Sequence, residues 1–264
     1  MNNDGTPPIA TAPAYLRLDG GVATIVLNRP EKYNVIDQDM AIKLKELGSA
    51  AAAATQVRIL VIRGAGPAFC AGGDIRHFLT NLDDLGTCIR RLLTPYHEFL
   101  QQLREMPKLV VAAVHGSVAG AGLSLASMCD LCVAADDAVF TPAYAKIGVS
   151  PDAGGTYGLP RAVGWRRALQ IYVAEESFSA QQGADWGLVS KVLPSGAFEA
   201  EVEAYVARLV RLSPDATANT KRLLRASVTT QLEGHLFDEM ESLIRCMGTP
   251  TFGEAIQKFV SKGQ

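Results

Sequence analysis

Hydrophobic positions along this chain change period several times, and each change marks an element. Residues 15–18 and 22–27 are rich in aliphatic and β-branched side chains and flank Asp19-Gly20-Gly21, which predicts a β-hairpin. Asp37 then precedes Met40, Leu44 and Leu47 at helical spacing, and alanines at 50–54 follow them. Residues 59–62 return to a strand pattern, and Asp74 opens a short helical turn. Residues 89–106 predict a longer helix with Leu92, Leu93, Tyr96, Phe99, Leu100 and Leu103 on its apolar face. Residues 109–114 predict a strand, 122–129 a helix of small side chains, and 130–135 a further strand. Helix and strand alternate through 189–193, and from 197 the pattern is helical almost to the end, broken at Pro214 and Pro250. Repeated β–β–α units with an all-helical tail predict an α/β core with C-terminal helices. The expected boundaries are a flexible lead-in over 1–13, the core over 14–196 and a helical region over 197–264.

Two glycine-rich turns stand out against this frame. Phe69-Cys70-Ala71-Gly72-Gly73-Asp74-Ile75 follows the apolar run at 58–63, and Gly116-Ser117-Val118-Ala119-Gly120-Ala121-Gly122-Leu123-Ser124 follows the run at 109–114. Small residues at a strand-to-helix turn let backbone N–H groups approach a ligand closely, and a helix N-terminus favours negative charge there. If the N–H groups of Gly73 and Ala121 converge on one carbonyl oxygen, they form an oxyanion hole; the same glycines would also serve tight strand–helix packing. For proton transfer, Asp152 sits between Pro151 and a Gly154-Gly155 turn, as a general base or as the cap of the following helix. His97, on the 89–106 helix, is a second acid–base candidate, or a packed helical histidine.

Composition narrows the classes. The 264 residues are 48% hydrophobic and 20% charged with a net charge of −2, which gives no reason to expect nucleic acid or an anionic membrane as partner. No apolar run approaches the roughly 20 residues of a membrane span, and the polar, Pro-rich start lacks a signal-peptide pattern. Five cysteines in no disulfide-like array fit a reducing cytoplasm. Cys129 and Cys132 form a C-x-x-C, but no second pair or histidine cluster completes a zinc site, so no metal is expected.

The two turns, together with residues 28–34 (Asn-Arg-Pro-Glu-Lys-Tyr-Asn), 151–156 (Pro-Asp-Ala-Gly-Gly-Thr) and 184–189 (Ala-Asp-Trp-Gly-Leu-Val), resemble the enoyl-CoA hydratase/isomerase (crotonase) superfamily. The matches run in family order over residues 15–193. The resemblance implies a spiral of β–β–α units with a C-terminal helical trimerisation region, a homotrimer or dimer of trimers, and acyl-CoA thioesters as substrates. Coenzyme A then belongs to the substrate, and no separate cofactor is implied. Gly73 and Ala121 take the oxyanion positions. Backbone around Ala71 and Ile75 would meet the adenine and pantetheine, and Asp74 shapes the turn. Arg29, Lys32 and Arg76 would face the phosphates, with Phe259 and Lys262 of a neighbouring subunit closing over the nucleotide.

One departure decides the expected chemistry. Hydratases of the family place glutamates where this chain has Ser124 and Tyr144. Hydroxyls of ordinary pKa do not replace a carboxylate pair in activating and protonating. Asp152 remains, in an Ile-Gly-x-x-Pro-Asp-x-Gly-Gly pattern most like the ring-epoxide and enoyl-CoA isomerases of aromatic-acid degradation. The expectation is therefore an isomerase: Gly73 and Ala121 hold the enolate oxygen, Asp152 shuttles the proton, and His97, Tyr144 and Ser124 are auxiliary candidates. The alternatives are a hydratase, an aromatic acyl-CoA dehalogenase or hydrolase with Asp152 as nucleophile and His97 as helper, and a non-catalytic acyl-CoA-binding paralogue.

Overall fold

A computed structural model describes residues 12–174 and 177–261. Strands β1 (Ala14–Asp19) and β2 (Val22–Leu27) form the antiparallel hairpin. Helix α1 (Gln38–Ala53) is capped by Asp37, whose carboxylate accepts the Met40 N–H at 2.9 Å. Next come β3 (Ile59–Gly64), β4 (Ala68–Cys70), α2 (Ile75–Leu79) and α3 (Leu85–Glu105). Then follow β5 (Leu109–Val114), β6 (Ser117–Ala119), α4 (Ala121–Met128), β7 (Leu131–Ala135) and β8 (Val139–Thr141). Helices α5 (Gly155–Val163) and α6 (Trp165–Ala174), strand β9 (Phe178–Ser179), α7 (Ala180–Asp185) and β10 (Lys191–Leu193) complete the core. Four helices end the described chain: α8 (Phe198–Val210), α9 (Pro214–Ala226), α10 (Leu232–Met247) and α11 (Pro250–Ser261).

Beyond the hairpin, the two strands of each unit lie in different sheets. One sheet runs β1-β2-β3-β5-β7-β10 and is parallel beyond the hairpin; the other runs β4-β6-β8-β9. The chain crosses from the first sheet to the second and returns, once per β–β–α unit, which is the expected spiral. Strands β4, β6 and β8 are only three residues long, too short to show a period of two. Sequence reading therefore joined 69–75 directly to the run before it and missed the second sheet.

Alternation on the larger sheet sets two cores. Leu60, Ile62, Val110, Ala112, Val114 and Ala134 face the principal core with α1, α3 and α4, while Ile59, Val61, Val111, Ala113 and Val133 face Phe198, Val202 and Val206 of α8. Both faces being covered explains why these strands read as unbroken apolar runs.

Two buried lysines close the ends of helices. Lys108 Nζ donates to the carbonyls of Ala51, Ala52 and Ala54 at 2.6–3.0 Å, satisfying the C-terminus of α1. Lys221 of α9 donates to the carbonyls of Leu103 and Lys108 and pairs with Asp130 at 2.7 Å. Asp130 also accepts from Arg225 at 2.7 Å and from the Val110 N–H at 2.9 Å. Burial lowers the Lys221 pKa, and the Asp130 charge opposes that shift. No helix among the described residues is long and apolar enough to cross a membrane.

Asp130→Ala leaves the Lys221 ammonium buried without its counter-charge. It is expected to cost about 3–5 kcal/mol of folding stability, read by urea unfolding; an unchanged midpoint would show the cluster to be energetically neutral.

Candidate active site

Strands β4 and β6 are parallel neighbours, so the turns that follow them emerge together. Gly122 lies against Cys70: a Cβ added there would overlap the Cys70 carbonyl oxygen and stand 2.9 Å from Cys70 Cβ. A Cβ on Gly72 would stand 3.5 Å from the Ala121 nitrogen. The Ile36 N–H donates to the Gly72 carbonyl at 2.8 Å and the Asp74 N–H to the Ile36 carbonyl at 3.1 Å, so the intervening Gly73 amide is left out of that ladder. Ala121 is the first residue of α4, where an N–H has no intrahelical acceptor. Among the described residues, neither Gly73 nor Ala121 donates its N–H to another group. Two unspent donors, one at the positive end of α4, thus flank a contact between turns.

Behind this pair runs a chain of hydroxyls. The Tyr144 hydroxyl donates to Asp152 Oδ1 at 2.7 Å and lies 3.0 Å from Ser124 Oγ. Ser124 is fully buried in α4, Tyr144 is nearly so, and Asp152 is half-buried. Burial, and next the Asp152 charge, push the Tyr144 pKa well up, so its hydroxyl stays a donor. Tyr172, delivered by α6, brings a buried hydroxyl that lacks a partner of good geometry, and burial raises its pKa to about 12. Gly155 makes the room: a Cβ there would overlap both Ser124 Oγ and the Tyr172 hydroxyl. Asp152 does not cap α5 with its side chain; Gly154 occupies the cap position, and the Asp152 carbonyl accepts the Gly155 N–H. Its carboxylate is committed to Tyr144.

Tyr96 joins the two halves. Its hydroxyl is 3.5 Å from the Ala121 carbonyl oxygen, and burial raises its pKa. Sequence reading placed Tyr96 in the core and passed over Tyr172. A phenol on an apolar helix face was the available signal for Tyr96, since a buried hydroxyl needs a partner; Tyr172 carries no local signal.

The remaining candidates are dispersed. His97 is exposed on α3, and among the described residues no hydrogen bond, ion pair or ring contact joins it to Asp152. Arg29 is pulled into an ion pair with Asp37, which holds its guanidinium at the α1 cap. Lys32 stands 4.0 Å from Asp74 with an exposed side chain. Asp74 caps α2 by accepting the Arg76 and His77 N–H groups, and the Ala71 N–H is spent on the Tyr33 carbonyl. Ile75 and Arg76 are exposed beside these turns, and Phe259 is 78% exposed on α11. Lys262 lies outside the described residues. The thiols of Cys129 and Cys132 are free, and Cys129 Sγ donates to the Leu125 carbonyl. Cleft size alone does not single out this place: a cavity of about 480 Å³ lies between the hairpin end of the large sheet and α8.

The chain belongs to the enoyl-CoA hydratase/isomerase family, of the crotonase superfamily, whose model matches residues 17–264. A probable enoyl-CoA hydratase of Rhodobacter capsulatus is 34% identical over 92% of both chains. The 1,2-epoxyphenylacetyl-CoA isomerase of Escherichia coli K12 is 31% identical over 93% of this chain and 94% of its own. An enoyl-CoA hydratase structure from Polaromonas sp. JS666 superposes with a TM-score of 0.89 at 32% identity, covering 94% of this chain and 97% of the other. A Thermobifida fusca YX chain solved in complex with acetoacetyl-CoA superposes with a TM-score of 0.84 at 29% identity, covering 90% and 96%.

Gly122→Ala drives a methyl group into the Cys70 carbonyl. The expected cost is about 1–3 kcal/mol, a fall in Tm of roughly 2–4 °C per kcal/mol for a chain of this size. Differential scanning calorimetry decides it, and an unaltered Tm would mean that the turns are not in close contact.

Proposed function

We propose that the chain is an acyl-CoA isomerase in which the Gly73 and Ala121 amides hold the thioester oxygen and Asp152 moves the proton. The observation that carries this reading is the fate of positions 124 and 144. Ser124 and Tyr144 spend their hydroxyls on each other and on Asp152, so a single carboxylate is left for proton transfer. One carboxylate suffices for a shuttle, whereas adding water needs one group to activate it and another to protonate carbon. From a 3-enoyl thioester, Asp152 takes a proton from C2. The C–H electron pair passes into the conjugated system, and negative charge collects on the oxygen between the two amides. Asp152, in exchange with solvent, then returns a proton at C4, leaving the double bond at C2–C3. Each amide bond strengthens as the oxygen gains charge, and losing one such donor typically costs about 3–4 kcal/mol of barrier.

Coenzyme A recognition rests on the family and on its acetoacetyl-CoA-bound relative. In this reading the backbone at Ala71 and Ile75 meets the nucleotide and pantetheine, Asp74 holds the turn, Lys32 and Arg76 face phosphate, and Arg29 braces the loop. Phe259 and Lys262 close the site from a neighbouring subunit. The chain works as a homotrimer, singly or as a dimer of trimers, in the cytoplasm, and needs no cofactor beyond its substrate's coenzyme A. Leu232, Leu236, Phe237, Met240, Leu243 and Met247 of α10 are exposed, an apolar face that a second copy would cover. Multi-angle light scattering should return three chain masses or a multiple of three; a stable monomer would remove the shared site.

The function is tested with 3-enoyl-CoA and 2-enoyl-CoA in deuterated water, read by mass. Double-bond migration with deuterium uptake and no added water is expected. Asp152→Asn should lower kcat by about 10²–10⁴ with acyl-CoA binding retained. Net hydration, or full activity in Asp152→Asn, would overturn the assignment.

A further inference from the structure

We infer that Tyr144 is the positioning residue of Asp152, with Ser124 fixing the direction of the hydroxyl chain so that Oδ2 alone exchanges protons with substrate. The inference rests on Asp152 being the proton shuttle. An ionised carboxylate only accepts hydrogen bonds, and a phenol has one proton to give. The Tyr144 proton therefore goes to Asp152 Oδ1, at 2.7 Å. That commitment leaves Tyr144 an acceptor toward Ser124, so the 3.0 Å contact between the two hydroxyls runs from Ser124 to Tyr144. The polarity is settled by counting protons: Ser124 to Tyr144 to Oδ1.

Burial places this chain behind the carboxylate. Ser124 and Tyr144 are buried while Asp152 is half-buried, and Tyr144 engages Oδ1, which leaves Oδ2 as the oxygen assigned to substrate. Tyr172 sets its ring edge-on to Tyr144, 6.1 Å between centroids, and its buried hydroxyl lies with Ser124 Oγ around the Cβ-less Gly155. No cation is hydrogen-bonded or ion-paired to Asp152 among the described residues.

The arrangement has a mechanistic result. When Asp152 removes a proton from carbon, the C–H bond breaks, an O–H bond forms at Oδ2, and the electron pair stays with the enolate. Oδ1 keeps accepting from Tyr144 before, during and after that step. Neither hydroxyl has to turn, so the base is held in place with no reorganisation between taking the proton and returning it. Positions 124 and 144 thus act through Asp152 and do not touch the reacting carbons.

Tyr144→Phe should lower kcat about 10- to 100-fold with KM within about twofold, since a base misplaced by an ångström loses about that much. Ser124→Ala should lower kcat about 3- to 10-fold. The double variant should be no slower than Tyr144→Phe, and Tyr144→Phe should add nothing to Asp152→Asn, because each acts through the next. Simple loss of packing would give additive effects and spread into KM. A crystal structure of Tyr144→Phe without substrate gives a readout independent of turnover: Asp152 should leave its single position for a second rotamer. Multiplicative losses, or an Asp152 carboxylate that stays in place in that variant, would overturn the positioning role. Absence of deuterium uptake by the unmodified enzyme would overturn the isomerase reading instead, and the crystal structure would still decide whether Tyr144 holds Asp152.

Discussion

Van der Waals contact between two turns of backbone governs this molecule's site. Gly122 leaves no space between α4 and the Cys70 carbonyl, and Gly72 faces Gly120 and Ala121 with the same economy. Strands β4 and β6 hold the turns in parallel register from below. Asn34, fully buried, ties the entering loop to the segment leading into β4, donating to the Ala65 and Ala68 carbonyls while accepting the Arg29 N–H. Moving either turn by the width of a methyl group would separate the Gly73 and Ala121 amides, and a hydrogen bond to a developing charge tolerates little misalignment. The rest of the core serves this register. The long parallel sheet is covered on both faces and is the frame from which the chain crosses to β4 and β6.

Burial of polar groups is concentrated in two places with opposite characters. Around Asp130, two cations and a backbone N–H surround one carboxylate, and Lys221 carries its charge into the core to satisfy the carbonyls of Leu103 and Lys108. That cluster joins α9 to the body of the protein. Around Asp152 the neighbours are neutral hydroxyls, which orient a carboxylate without neutralising it. A cation there would stabilise the ionised base and oppose its taking a proton. The same side-chain type is structural in one setting and suited to chemistry in the other because of what surrounds it.

Legibility from sequence followed element length and locality. The hairpin around Gly20-Gly21, the Asp37 cap, the helix through Leu92 and Leu103 and the breaks at Pro214 and Pro250 all rest on signals within a few residues, and the structure has each of them. The three-residue strands were invisible because a period of two needs more than three positions to register. At the site, Gly73, Ala121 and Asp152 stood out through glycine-rich turns and a matching family pattern. The bond between Asp152 and Tyr144 did not, since a helical turn and irregular backbone over the seven residues between them encode no periodicity for that approach. Tyr172 lay further out of reach, as it is carried to Ser124 only by the packing of α6 against α5.

The proposed electrophilic grip lies in main-chain amides, and that placement also has a genetic consequence. A codon change can delete a side chain, but it cannot delete an N–H short of introducing proline. In the proposed mechanism, mutational drift at positions 124, 144 or 152 would therefore alter how protons move while the two amides stay in place. A lineage built on such a frame starts each new reaction with its most demanding component already inherited, and exploration is confined to a few side chains facing a fixed oxygen.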